Sequence, residues 1–270
     1  MKLFNKAWLI GLAILCLSTP VFAEKIVCEG STTVLPIAQK AAEVFMNANP
    51  GAEISVRGGG SGVGIASIID GTCDIADASR AMKDTEYEKA AANGRSPKAN
   101  VIAMDGICVI VHTSNNIKAL AKKQIKDIFT GKISNWSQLG GADEKIVVIS
   151  RDSSSGTFEA FGVLVLGGDK VRPDALLQAS NQAVASVVEK TPGAIGYVGL
   201  GYVSSSVKAL DVDGVKASKE TVLTGTYGIG RPLFMYTNGA PKGLAKEFID
   251  FILSKDGQKL VEDEGFVGLK

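Results

Sequence analysis

Three short segments of the sequence combine glycine with serine and threonine, and each lies between an apolar run and a helical pattern. They are residues 30–33, 58–62 and 151–156. The first amides of a helix have no intrahelical acceptor and carry the positive end of the helix dipole, so such a turn can hold an anion. Glycine lets a ligand approach the backbone, while serine and threonine add side-chain donors.

One such turn alone is explained by helix N-capping, for which serine and threonine are preferred. Three of them, the third led by Arg151, are harder to explain in that way. Arginine offers a planar fork of donors that fits a tetrahedral oxyanion, which lysine does not. The sequence therefore predicts a small oxyanion held by helix N-termini.

Apolar runs of strand length alternate with amphipathic stretches, which predicts an α/β protein with mostly parallel sheets flanked by helices. Two apolar segments, residues 101–111 and 231–236, are predicted to cross between two lobes that hinge and close on a ligand. We assign lobe I to residues 24–111 and 226–270, and lobe II to residues 112–225. The three turns connect strands predicted at 26–28, 54–57 and 145–150 to helices predicted at 34–49, 63–70 and 157–166.

Residues 1–23 have the pattern of a secretory signal peptide. Two lysines precede an apolar stretch that is too short to span a bilayer, and small residues at the end predict cleavage after Ala23. Lipoprotein processing at Cys16 is the alternative, but a leucine precedes that cysteine where a small residue is wanted. We therefore expect a periplasmic or otherwise extracytoplasmic protein.

The composition excludes several classes of function. A 270-residue chain that is 46% hydrophobic is neither disordered nor collagen-like. Its net charge is +1, and −1 once the two lysines of the signal segment are removed, which disfavours nucleic acid as a partner. The single histidine, His112, is interpreted as structural or solvated, and no Cys-x-x-Cys pair is present. The sequence therefore predicts no metal, no cofactor and no histidine-based catalytic triad.

Three cysteines remain after cleavage, at positions 28, 73 and 108, and each lies in an apolar run. We interpret them as buried free thiols, since free cysteine often behaves as a small hydrophobic residue. An oxidising compartment would permit one bridge, and Cys28 with Cys73 is the pairing that we consider.

Six segments follow one another in an order that is more specific than any one of them. They are GSTTVLP (30–36), GSG (60–62), DIADASR (74–80), DIFTGKISNW (127–136), RDSSSGT (151–157) and TPGAIGYV (191–198). Over essentially the whole mature chain, this succession resembles the phosphate-binding proteins of bacterial ABC transporters, which are type II periplasmic binding proteins. The resemblance implies a two-lobed fold that holds inorganic phosphate in its cleft and passes it to a membrane permease. We expect a monomer.

The resemblance also carries binding roles to particular positions. The phosphate ligands it implies are Thr32, Thr33, Ser61, Ser79, Arg151, Ser155, Gly156 and Thr157. An aspartate that could accept the proton of phosphate, common in the family, falls on Ser79, and the aspartate of the arginine loop falls on Ser153. Asp77, on the strand face that Ser79 shares, and Asp152 are candidate substitutes. Asp152 is alternatively a charge partner of the neighbouring arginine, and Arg80 either donates to the anion or pairs with an acid.

Other functions stay open at this level. The ligand could be another tetrahedral oxyanion, such as sulfate, molybdate or arsenate. A phosphatase-like hydrolase would use Ser155 or Thr157 as nucleophile, but the only histidine, His112, is poorly placed in the sequence to act as its base. A surface adhesion or signalling protein on the same fold is a third class. The sequence favours a binding protein that is not an enzyme.

Overall fold

The computed structural model describes residues 24–269, so the predicted signal peptide lies outside the described residues. The strands are β1 (Glu24–Gly30), β2 (Ala52–Gly58), β3 (Ile75–Ala78), β4 (Pro97–His112), β5 (Ala119–Leu120), β6 (Val147–Arg151), β7 (Leu176–Gln178), β8 (Ala194–Gly199), β9 (Val207–Ala209), β10 (Asp211–Val212) and β11 (Gly230–Asn238). The α-helices are α1 (Leu35–Ala48), α2 (Ser61–Asp70), α3 (Asp84–Ala92), α4 (Lys122–Phe129), α5 (Gly156–Leu164), α6 (Asn181–Glu189), α7 (Lys219–Leu223), α8 (Gly243–Leu253) and α9 (Lys255–Asp263). Within residues 24–269, none of these helices has the length and apolar character needed to cross a bilayer.

A long, mixed sheet runs through the molecule in the order β2-β1-β3-β11-β4-β8-β6-β7, with β9 added beside β4. We call β2, β1, β3, β11 and the first part of β4 the first half-sheet, and the rest of β4 with β8, β9, β6 and β7 the second half-sheet. Within each half, three strands run parallel: β2, β1 and β3 in the first, and β8, β6 and β7 in the second. The predicted α/β architecture is confirmed.

The strand β4 belongs to both halves. Residues 97–106 of β4 pair antiparallel with β11, whereas Ile107 to Val111 pair antiparallel with β8. A glycine stands on each strand where the change of partner occurs, since Gly106 lies opposite Gly230 in the register. Of the two segments predicted to cross between lobes, the one at 101–111 is thus where the chain passes from one half-sheet to the other, whereas residues 231–236 lie in β11, which among residues 24–269 pairs only within the first half-sheet.

Each half-sheet is covered by helices on both faces. In the first half, α1 and α8 bury one face through residues such as Ile37 and Phe248, while α2 buries the other through Ile65 and Ile68. In the second half, α4 and α5 pack on one face and α6 packs on the other. Parallel strands buried on both faces read as continuous apolar runs, which is why the sequence pattern predicted them.

The three cysteines of the described chain are buried free thiols. Cys28 lies in the apolar cluster beneath α1, Cys73 in the cluster beneath α2, and Cys108 in the cluster beneath α6. Burial raises the pKa of the Cys73 thiol to about 12 and raises the pKa of Cys28 and Cys108 as well. Because the reactive form is the thiolate, these side chains are chemically quiet in the folded protein.

Each of the three predicted turns joins a strand to a helix. β1 leads through residues 31–34 to α1, β2 leads through residues 59–60 to α2, and β6 leads through residues 152–155 to α5. Gly60, the N-cap of α2, has a φ of 100°, a conformation that side chains other than glycine rarely adopt. The three helix N-termini and their hydroxyls are therefore placed at the carboxyl ends of parallel strands.

Candidate functional site

The hydroxyls of the three turns meet in one buried region. The first and third turns touch where Thr33 Oγ1 lies 3.1 Å from Thr157 Oγ1. The second and third touch at Gly156, where an added Cβ would fall 2.9 Å from Ser79 Oγ and closer still to the Ser61 side chain. Ser61 Oγ accepts a hydrogen bond from the Ser79 amide at 3.0 Å, and the two hydroxyl oxygens are 3.2 Å apart. All of these residues are buried.

The first turn is oriented by a side chain that the sequence reasoning did not single out. Asn181, at the start of α6, donates through Nδ2 to Thr32 Oγ1 and to Thr33 Oγ1, each at 3.0 Å. Its Oδ1 accepts from the Gly199 amide at 3.1 Å, which settles which end of the side-chain amide faces the threonines. Tyr202 donates its hydroxyl to the Thr32 carbonyl. Helix α6 and the segment after β8, which belong with the second half-sheet, thus contact the first turn directly.

The third turn is docked on the second turn. The Ser154 carbonyl accepts from the Gly62 amide at 2.9 Å, and Ser154 Oγ donates to the Gly59 carbonyl at 3.0 Å. Asp152 Oδ1 accepts from the Ser154 amide at 2.8 Å, and its carboxylate shares the single Ser154 hydroxyl hydrogen with the Gly59 carbonyl. Ser155 is the N-cap of α5 and accepts the amide three residues on. The backbone of the two turns is held together without using the side chains of Ser155 or of the buried threonines.

Arg151 ends β6 beside these turns and is almost fully buried. Its Nε donates to the Gln178 carbonyl at 2.9 Å and its Nη2 to the Ala179 carbonyl at 3.1 Å. Its Nη1 is buried and has no hydrogen-bond partner among residues 24–269. Burial lowers the pKa of the guanidinium, and the charge of Asp152 opposes that effect. A buried cationic donor without an acceptor is costly, so this group favours an anionic ligand.

Arg80 is directed to acidic side chains. Its Nη1 and Nη2 donate to Glu86 at 2.8 and 2.7 Å, and its Nε lies 3.0 Å from Glu159 Oε1. Lys83 also pairs with Glu159, which belongs to α5. Of the two roles left open for Arg80, the structure therefore shows pairing with acids, and these ion pairs join the two halves at the edge of the hydroxyl region.

Asp77 is fully buried on β3, and neither of its carboxyl oxygens has a hydrogen-bond partner among residues 24–269. Burial raises its pKa well above the ordinary range of an aspartate. The thiols of Cys28 and Cys73 lie close enough for a charge on Asp77 to raise their pKa values too. The structure therefore does not bring this carboxyl into hydrogen bonding with the hydroxyl cluster, although Asp77 had been a candidate acceptor.

The pH dependence of stability should reveal the state of this carboxyl. Because burial raises the pKa of Asp77 in the folded protein, the unfolded chain releases this proton first, above about pH 4, so the free energy of unfolding falls as the pH rises from there to the raised pKa. For one proton the slope reaches at most about 1.4 kcal/mol per pH unit. We expect Asp77→Asn to remove this component, as measured by urea unfolding at a series of pH values. Asp250→Asn, at an exposed helix pair, is the control, and parallel profiles for wild type and Asp77→Asn would contradict the assignment.

A buried ion pair lies behind the hydroxyls. Arg231 on β11 and Asp105 on β4 are register partners, and Arg231 donates to Asp105 Oδ2 through Nε at 3.0 Å and through Nη2 at 2.8 Å. Arg231 Nη2 also lies 3.2 Å from Thr33 Oγ1 and 3.0 Å from Thr157 Oγ1. Burial lowers the pKa of Arg231 and raises that of Asp105, while each charge partly restores the other.

Sequence reasoning missed Arg231, Asp105 and Asn181. Arg231 had been noticed only as part of a crossing strand. Asp105 did carry a signal, because a carboxylate inside an otherwise apolar strand is rarely buried without a partner. Asn181 carried none, since asparagine after serine at a helix start is equally well explained by capping.

The cluster has the composition of a binding site. His112 makes its hydrogen bond with Ser114, through Nδ1 at 2.7 Å, and among residues 24–269 no hydrogen bond links a histidine to Ser155 or Thr157. Across the same residues, no group of three or more potential metal ligands occurs. Amide and hydroxyl donors beside the buried guanidiniums of Arg151 and Arg231 can hold an oxyanion.

Comparisons with known proteins agree with this geometry. A family profile described as the PBP superfamily domain matches residues 19–256. The chain is 38% identical over 243 residues to the phosphate-binding protein PstS of Bacillus subtilis, covering 88% of this chain and 78% of that protein.

Solved structures are similar over almost the whole length. One is a substrate-binding protein assigned to phosphate ABC transport in Clostridium perfringens, with bound phosphate, at 37% identity and a TM-score of 0.85, covering 92% of this chain and 100% of that one. Another is an ABC-type phosphate transport receptor of Vibrio cholerae, at 31% identity and a TM-score of 0.74, covering 90% of this chain and 99% of that one.

Proposed function

The chain belongs to the phosphate-binding proteins of the PBP superfamily, and we propose that it captures inorganic phosphate between its two half-sheets and delivers it to an ABC permease. In this role it binds and releases a solute and catalyses no reaction. We propose export with cleavage after Ala23, action as a monomer, and hinged motion of residues 24–111 with 226–270 against residues 112–225. The proposed ligands are Thr32, Thr33, Ser61, Ser79, Arg151, Ser155, Gly156 and Thr157.

The observation that carries the proposal is the convergence of the three turns beside a guanidinium with a spare donor. Thr33 and Thr157 lie within 3.1 Å of each other although they come from opposite halves. Arg151 contributes the unpartnered Nη1, which a dianion would satisfy with a charge-assisted hydrogen bond. Helix N-termini at the same place favour negative charge. A tetrahedral oxyanion would accept from Arg151 Nη1 and from those hydroxyls of the turns that keep a free hydrogen.

The selectivity of the site depends on Ser79, which stands where many family members have an aspartate. A carboxylate repels an oxyanion that has no proton, whereas a hydroxyl can donate to a bare oxygen or accept from a protonated one. Ser79 Oγ and Ser61 Oγ form a rotatable pair that can serve either way. We therefore expect the protein to prefer phosphate over sulfate less strongly than a site with an aspartate would.

Competition titration tests the proposed function. Calorimetric titration of the purified mature protein with phosphate, sulfate, arsenate and molybdate at several pH values should show saturable phosphate binding with arsenate as a close competitor. We expect sulfate to compete measurably, because no carboxylate is hydrogen-bonded to Ser61 or Ser79 in the described chain. Absence of phosphate binding at every pH would overturn the proposed function, and complete exclusion of sulfate would overturn the role given to Ser79.

A further inference from the structure

The ion pair of Arg231 and Asp105 occupies a junction between the halves of the molecule. It joins the two antiparallel strands β4 and β11 one residue away from the facing pair Gly106 and Gly230. From the first half, the Ser79 carbonyl accepts from Arg231 Nη1 at 3.1 Å. From the second half, the Leu200 amide donates to Asp105 Oδ1 at 2.9 Å. With Thr33 and Thr157 also within reach, the pair contacts both sides of the cleft.

The hydrogen atoms of the two threonines can be assigned by counting donors and lone pairs. A hydroxyl has one hydrogen and two lone pairs, whereas a guanidinium has donors only. Arg231 Nη2 has two hydrogens for three acceptors, so with one hydrogen on Asp105 Oδ2 the other is shared between Thr33 Oγ1 at 3.2 Å and Thr157 Oγ1 at 3.0 Å. Thr33 Oγ1 accepts this shared hydrogen and one from Asn181 Nδ2 at 3.0 Å, which occupies both lone pairs. Thr33 must therefore donate its hydrogen, and Thr157 Oγ1 at 3.1 Å is its acceptor.

The same count fixes Thr157. Its oxygen accepts the shared hydrogen of Arg231 Nη2 at 3.0 Å and the hydrogen of the Thr33 hydroxyl, so both of its lone pairs are occupied. Its own hydrogen must then be donated, and no acceptor for it is found among residues 24–269. Because Arg231 and Asn181 supply only donors to this pair, Thr33 donates to Thr157. The Thr157 hydroxyl hydrogen, at the N-terminus of α5, is then free to be donated to a ligand.

We propose that Arg231 is a positioning residue of the anion site, which, held by Asp105, polarises Thr33 and Thr157 so that Thr157 donates to the bound anion. This inference rests on the proposed function and names a residue that acts through its neighbours. The polarised Thr33–Thr157 pair exists only when the halves are together, because Thr33 precedes α1 and Thr157 belongs to α5. Arg231 therefore contributes to affinity in the closed form, with its guanidinium behind the hydroxyls.

A double-mutant cycle on the mature protein tests the role, with phosphate as the titrant. Arg231→Lys keeps a positive charge beside Asp105 but loses the planar set of guanidinium donors. We expect about tenfold weaker phosphate binding, the size of one lost charge-assisted hydrogen bond. Thr157→Val should have a similar effect. Because Arg231 acts through Thr157, the combined variant should be weaker than either single variant by less than about threefold. Ser155→Ala is the control partner, and its effect should add fully to that of Arg231→Lys.

The outcomes separate the two proposals. Phosphate affinity unchanged in Arg231→Lys, or full additivity with Thr157→Val, would overturn the positioning role and leave the proposed function intact. A wild-type protein that does not bind phosphate would overturn both. Should Arg231→Lys fail to fold, Arg231→Met combined with Asp105→Leu removes both buried charges together, a change that folded proteins often tolerate. In that background Thr157→Val should change phosphate affinity by less than about threefold, and a full effect would contradict the inference.

Discussion

Replacing Arg151 with alanine is expected to weaken phosphate binding by at least about 2 kcal/mol, the scale for losing a charged hydrogen-bond partner in a buried site. Arg151 Nη1 is a buried donor for which residues 24–269 provide no acceptor, a property that it shares with Arg172 Nη1, and Arg151 leads directly into the third turn. Isothermal titration of wild type and Arg151→Ala with phosphate, at one pH and salt concentration, gives the difference directly.

The controls for this experiment come from the same half of the molecule. Arg151 also donates to the carbonyls of Gln178 and Ala179, so Arg151→Ala removes structural bonds as well as the spare donor. Arg172→Ala, which breaks a pair with Asp174, removes an arginine without touching the hydroxyl cluster and should leave the affinity unchanged. Equal phosphate affinity in Arg151→Ala and wild type would remove Arg151 from the site.

A single methyl group at position 156 is expected to weaken phosphate binding by about tenfold or more, because overpacking a tight contact costs about 1–3 kcal/mol. An added Cβ on Gly156 would fall 2.9 Å from Ser79 Oγ and still closer to Ser61, so the third turn would be pushed away from the second. The substitution therefore raises the free energy of the closed form, whereas the hydrophobic core of each half is unchanged. Phosphate titration of Gly156→Ala measures the penalty, and thermal unfolding without phosphate should change little.

Gly162→Ala provides a matched control on the same helix. Nothing lies within 4 Å of a Cβ added at Gly162, so this substitution adds a methyl group to α5 without a new contact. We expect wild-type affinity for Gly162→Ala. If Gly156→Ala also binds like wild type, close approach of the second and third turns is not needed for binding.

The local elements around the site could be predicted because each is encoded by neighbouring residues. The apolar run before each turn, the glycine and hydroxyls within it and the amphipathic stretch after it are contiguous, and they predict β1 with α1, β2 with α2 and β6 with α5. Even the crossing role of β4 follows from an apolar run of unusual length. Periodicity was enough for these features.

The polar partners of the site could not be predicted because they are distant in sequence. Arg231 and Asp105 are separated by 126 residues, and their pairing depends on the register of two antiparallel strands. Arg80 pairs with Glu86, which is near it in sequence, but also with Glu159 of α5, which only the tertiary fold places beside it. Strand alternation predicted Asp77 on the same face as Ser79, yet neither of its carboxyl oxygens has a hydrogen-bond partner in the described chain. The sequence gives the chemistry of each side chain, but tertiary packing determines which groups that side chain contacts.

The reactivity of the buried thiols can report local unfolding of each half of the molecule. Cys28 lies in the core of the first half and Cys108 in that of the second, and both have pKa values raised by burial. An alkylating reagent can reach either sulfur only when its surroundings unfold, so the labelling rate reports how often that region opens. Labelling of the two positions, resolved by peptide mass, would show whether a ligand that bridges the halves slows the opening of both cores or of one alone.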